Sequence, residues 1–258
     1  MDLRRIWAGV SLTIILATAS GLAAPHGVNL GVKGGLSVPN IRGSEDDVFS
    51  KGFGSRRGLF LGLFAETRLT SRFSLVAELN YASQGGLREG IQPITMDMGG
   101  LPVPPGTILF ADFVNETILN YIELPVLGRL VLGDRLRFFA NAGPYVGLLI
   151  GHHAVTKGMS AMFLDEGGTM PIIIPPATEP LIVDLGADTD VGDSLKNWNF
   201  GVTGGLGLLY PVGRGDFTIE ARFEYGLTTI QRDVTTSGDN QTGAVVIALG
   251  YSLPLRRR

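Results

Sequence analysis

Between Gly204 and Gly226 the chain reads GGLGLLYPVGRGDFTIEARFEYG, and its second half alternates without a fault. Phe217, Ile219, Ala221, Phe223 and Tyr225 fall on one face of an extended strand, and Thr218, Glu220, Arg222 and Glu224 on the other. The first half does the same, with Leu206, Leu208 and Tyr210 opposite Gly205, Gly207 and Leu209. A short Gly-rich turn, Pro211 to Asp216, joins the halves. The pattern predicts a β-hairpin with one apolar and one polar face. A soluble sandwich turns the apolar face inward, and a membrane barrel turns it outward.

Six more segments repeat the alternation, near 28–38, 59–68, 73–82, 117–130, 136–150 and 244–253. Pro125 falls in the fourth strand, where its missing N–H predicts a bulge. The connections follow a rule of their own. Long ones cover 39–57, 83–116, 151–197 and 228–241, and short ones cover 69–72, 131–135 and 211–216. All the tight turns therefore fall at one end. An all-β, closed, antiparallel, eight-stranded up-and-down transmembrane β-barrel has this asymmetry, with short periplasmic turns and long outer loops.

The charges argue the same way. Lys33, Glu66, Glu78, Glu123, Arg129, Arg137, Glu220, Arg222 and Glu224 all fall on the polar faces of their strands, and the opposite faces are almost free of charge. A bare face suits hydrocarbon, and closure leaves no unpaired edge. Tyr81, Tyr210, Tyr225, Tyr251 and Trp198 lie near strand ends, where an aromatic girdle belongs. A soluble barrel with the charges outside is the competing arrangement.

The N-terminus, with the loop asymmetry, favours the membrane barrel. Arg4 and Arg5 precede an apolar run from Ile6 to Leu16, then the small residues ATASGLAA. This reads as a secretory signal over 1–23, leaving 24–258 as the barrel domain. Charged residues make up only 17% of the chain, and the net charge of -3 carries no basic excess for nucleic acid. Cysteine is absent, which excludes disulfides and thiolate-bound metal.

The segments GLFLGLFAETRLTSRFSLVAELNYASQGG, NYIELPVLGRL, FFANAGPYVGLLIG and ALGYSLPL resemble the PorT-like outer-membrane β-barrel domain family. The resemblance runs from about Val28 to Leu255, and its most specific piece is Tyr121-Ile122-Glu123-Leu124-Pro125 with Gly143-Pro144-Tyr145. It implies an eight-stranded outer-membrane barrel, in a family most of whose members have no assigned biochemical activity. The chain departs from the usual aromatic barrel ending in its last three residues, all arginine.

Several patterns invite chemistry. The lumen acids and bases are near balance, which predicts a mutually paired plug rather than a pore. His152 and His153, with Asp165 or Glu166, suggest a hydrolytic or metal site, but adjacent strand residues point to opposite faces. Asp184, Asp188, Asp190 and Asp193 form an acidic run that suits a divalent cation, although its spacing is not that of an EF-hand. Glu45-Asp46-Asp47 reads the same way more weakly. Arg214-Gly215-Asp216 falls in a periplasmic turn, away from any host receptor. Gly201 to Gly207 lies inside a strand and opens no helix, so it is no phosphate loop. The apolar run from Met170 to Pro176 predicts packing over the barrel mouth or against a partner.

These readings predict a non-enzymatic outer-membrane protein with no cofactor. Its partners are outer-membrane lipid and, through the outer loops, another protein. The alternatives are an enzyme or binder of lipid-like ligands at the outer rim near His152, and a narrow conduit through the lumen.

Overall fold

A computed structural model of the protein describes residues 27–44, 46–94, 103–104 and 106–255. The expected signal over 1–23, Glu45 and the arginine tail 256–258 lie outside the described residues. Eight long strands form the body: β1 (Val28–Arg42), β2 (Gly58–Arg68), β3 (Phe73–Arg88), β6 (Val114–Leu132), β7 (Arg137–Lys157), β11 (Trp198–Val212), β12 (Gly215–Gly226) and β13 (Gln241–Pro254). They pair antiparallel in the order β7-β11-β12-β13-β1-β2-β3-β6, and β6 pairs back onto β7. The sheet closes.

The alternation sets the facing. Leu36, Leu206 and Ile247 are 64%, 67% and 59% exposed on the outer wall, while Glu123, Glu224 and Arg222 inside are at most 2% exposed. In β12 the pattern holds at every residue from Thr218 to Gly226, buried then exposed. Glycine makes room for large lumen side chains. A Cβ on Gly207 would lie 2.4 Å from the Phe139 ring, and one on Gly201 would lie 2.5 Å from that of Tyr145.

Three connections at one end are tight, and Gly133 and Gly213 take the positive φ that two of them require. At the other end the strands run on. β6 has 19 residues and β7 has 21, well beyond the ~9–11 needed to cross a bilayer. The long connections are more ordered than the sequence suggests. β3 continues to Arg88, β6 starts at Val114 and β7 continues to Lys157, so much of 83–116 and 151–197 is strand. Beyond the barrel, β4 (Ile91–Pro93), β5 (Phe110–Asp112), β8 (Met159–Phe163) and β9 (Ile182–Asp184) build a second four-stranded sheet. It has its own core, with Leu109, Met162 and Ile172 in one cluster and Ala111, Phe113 and Leu185 in another. These strands are three to five residues long, too short for alternation to reveal.

Pro125 does not mark the bulge. The register shifts between Asn120 and Tyr121, opposite Leu149 to Gly151. Pro125 instead sits where the β3–β6 ladder is interrupted, between the pairs Ala77↔Val126 and Asn80↔Glu123. Its missing donor faces the β3 side.

Candidate functional site

Inside the barrel, alternating positions of six strands converge on a stack of charged layers. Near the tight-turn end, Arg137 pairs with Asp216, and Arg129 Nη1 donates to Glu66 Oε2 at 3.0 Å. The Arg129 guanidinium lies 4.5 Å from the Phe139 ring centre. Next comes a closed quartet. Lys33 Nζ is 2.8 Å from Glu78 Oε1 and 3.3 Å from Glu220 Oε2. Arg222 donates to both Glu78 oxygens, at 2.7 and 2.9 Å, and to Glu220 Oε1 at 2.9 Å. Asn80 and Asn141 donate to Glu78 and Glu220. Two cations and two anions cancel, each satisfied by hydrogen bonds, which is the condition under which buried charge is tolerated.

The next layer toward the loop end differs. Gln84 Nε2 donates to Glu224 Oε2 at 2.8 Å and reaches Glu123 Oε1 at 3.4 Å. Among the described residues neither acid has an ion-pair partner. The plug expected from the sequence is thus uneven. Lys33, Glu66, Glu78, Arg129, Glu220 and Arg222 pair among themselves, Arg137 pairs outside the set, and Glu123 and Glu224 are left over. Sequence reasoning missed Gln84 by ending its strand at Ala82, although Glu78, Asn80 and Gln84 continue one polar face.

Above these layers the mouth is covered. Leu195 and Ile230, from the loops, pack on Leu119, Tyr121 and Leu149 of the barrel. A cavity of about 550 Å³ lies beside this cover, lined by Phe49, Phe53, Arg88, Gln92, Thr117 and Asn240 among others. Burial pushes the Arg88 guanidinium down, while Glu166 and Asp47 oppose it.

The rim histidines do not assemble a catalytic group. Both belong to β7, and β10 (Ala187–Asp190) pairs alongside them, with Asp190 opposite His153. His152 Nδ1 is 2.6 Å from Asp190 Oδ1, close enough for an ion pair when protonated but off the line of a hydrogen bond. His153 Nδ1 is 3.1 Å from Asp188 Oδ1. Asp165 bonds to the backbone of Thr169 and Met170, and Glu166 pairs with Lys51. The four loop aspartates do not gather either. Asp184 accepts from Gly186 N–H, Asp190 accepts from Gly192 N–H, and Asp193 sits in a short 3-10 turn, Gly192–Ser194. Among the described residues, no group of three or more histidine and acidic side chains is placed to hold a metal ion. The Gly192 N–H holds the Asp190 carboxyl below the usual carboxylate range, against a desolvation that opposes it, and His152 adds to the lowering. The greasy run from 170 to 176 packs into the second sheet through Ile172, leaving Met170 and Ile173 exposed.

A family model described as an outer membrane protein beta-barrel domain matches residues 18–232. No curated protein sequence matches significantly. Among solved structures, the chain is similar to Ail, the attachment invasion locus protein of Yersinia pestis, at 10% identity and a TM-score of 0.40, covering 88% of this chain and 99% of that one. It is also similar to Neisserial surface protein A, at 10% identity and a TM-score of 0.41, covering 88% of this chain and 97% of that one.

Proposed function

The chain belongs to the outer membrane protein beta-barrel domain family and resides in the outer membrane, and on that premise we propose that it is a non-enzymatic interaction or accessory protein working through its outer face. The observation that carries this reading is the second sheet. A barrel that served only as a wall would not need β4, β5, β8 and β9 folded into a separate platform beyond the membrane. That platform leaves Met159, Met170, Ile173 and Ile182 exposed, at 73%, 53%, 47% and 56%. These positions lie above the lipid-facing wall, so their apolar surface meets water unless a partner covers it. We read residues 1–23 as its export signal and 24–258 as the barrel domain, and the Tyr121–Pro125 strand with Gly143-Pro144-Tyr145 supports reading it as a PorT-like family barrel.

The alternatives draw less support. Each rim histidine faces a different loop carboxylate, and the paired charges of the quartet fill the section that a conduit would need open. The test is site-specific photo-crosslinking in living cells from Met159, Ile173 and Ile182, with lipid-facing Leu249 as the control. A protein adduct of defined mass from the platform positions alone is the expected result. Lipid adducts or none at all three platform positions would overturn the reading.

A further inference from the structure

The layer formed by Gln84, Glu123 and Glu224 is short of positive charge. The nearest cations, Arg222 and Lys33, are committed to Glu78 and Glu220 in the quartet below. Ionised, Glu123 and Glu224 therefore carry two negative charges without an ion-pair partner among the described residues. They are also short of donors. Gln84 Nε2 serves one oxygen of each, but Glu123 Oε2 and Glu224 Oε1 are enclosed and without a partner. The far side of the same amide, Gln84 Oε1, is likewise buried and unpartnered, on a side chain with no exposure at all. So is the Tyr121 hydroxyl, two residues before Glu123 on the same face of β6. Gly147 of β7 lets these groups crowd together: a Cβ there would stand 3.3 Å from Tyr121 Cδ1, 3.5 Å from Glu123 Cγ and 3.7 Å from Asn199 Cβ.

Each enclosed acceptor without a donor costs about 1–3 kcal/mol, more when charged. Water would satisfy oxygens and leave the charge. A single proton would remove one charge and satisfy one acceptor. A cation does both for the whole set. The donors are oxygens throughout, carboxylate, amide and phenol, which favours a hard cation over zinc or copper. The two charges match a divalent ion, and an irregular shell of mixed oxygens suits calcium better than the strict octahedron of magnesium.

We propose that the lumen binds one divalent, oxygen-seeking cation of the calcium class between Glu123 and Glu224, the Gln84 amide turning over to present Oε1 in place of Nε2, with the Tyr121 hydroxyl contributing and water completing the shell. The access side is the loop end. Thr117, six residues before Glu123 on β6, lines the outer cavity.

The test uses the full chain folded in detergent micelles, stripped with EDTA and titrated with Ca²⁺ by calorimetry. In parallel, Tb³⁺ is added and its emission excited through tyrosine. Heat-dependent gel mobility verifies the fold of every variant. One Ca²⁺ per barrel is expected, with Tb³⁺ emission that Ca²⁺ displaces. Glu123→Gln and Glu224→Gln should each weaken binding at least about tenfold, as expected for removal of a charged ligand. Asp188→Asn with Asp190→Asn should leave it unchanged. Tyr121→Phe should dim the Tb³⁺ emission. No saturable binding by the folded wild type would overturn the proposal. So would binding that survives both glutamine variants and disappears with the loop variant. A protonated-carboxyl infrared band lost in Glu123→Gln, without Ca²⁺ binding, would make the pair a shared-proton site and overturn it as well.

Discussion

Replacing Arg222 by Met probes the quartet at its most connected member. The guanidinium makes four hydrogen bonds of 2.7 to 3.2 Å, two to Glu78 and two to Glu220. Met fills similar space without charge, so Glu78 and Glu220 remain enclosed with Lys33 alone between them. One negative charge is then uncompensated. Breaking a buried pair from one side costs about 3–5 kcal/mol. The companion change Glu78→Gln removes the surplus charge and leaves the neutral pair Lys33–Glu220, at 3.3 Å. The double variant should therefore be more stable than Arg222→Met alone by about 0.5–3 kcal/mol, the range for directly coupled residues. Urea unfolding in lipid vesicles, read by mobility on unheated gels, measures the wild type and both variants. An Arg222→Met barrel within about 1 kcal/mol of wild type would mean that the charges are hydrated rather than mutually paired. A double variant no better than the single would refute the charge accounting.

Other outcomes follow from the same geometry. Leu249→Arg or Phe223→Arg puts a cation on the lipid face and should cost about 2–4 kcal/mol near the midplane, so outer-membrane levels of either should fall; normal levels would reverse the facing. Gly207→Val drives a side chain into the Phe139 ring and the Ile219 carbonyl, at 2.4 and 2.3 Å from the added Cβ, and should lower the folded fraction on gels. Because folding depresses the Asp190 carboxyl, the loop stability it supplies is present above its unfolded value of about 3.9 and fades as pH falls below that. The Gly192 amide resonance should therefore shift only on acidification below the ordinary aspartate range, and an unmoved resonance would contradict the contact.

How far the sequence carries depends on the range of the physics. Facing was legible because a period of two is local: Glu220, Arg222 and Glu224 reveal the lumen side without knowledge of any partner. The tight turns were legible for the same reason. Pairing across the lumen was not, since Arg222 meets Glu78 from 144 positions away and nothing in either strand specifies it. The platform was hidden because three-residue strands such as Ile91–Pro93 have no period to read. Pro125 misled because proline removes a donor on one side only, and the register shift arose against the other neighbour. The loop aspartates looked like ligands in line, yet their carboxylates turn to local amides and to the two histidines.

The most direct test of the account is the state of the native protein in membranes. Outer-membrane fractions, run on gels with and without boiling, should hold the chain as a compact species that changes mobility only on heating. Recovery as a soluble periplasmic protein without a heat-dependent shift would contradict it, because the apolar wall around Leu249 and Ile247 would then have to face inward.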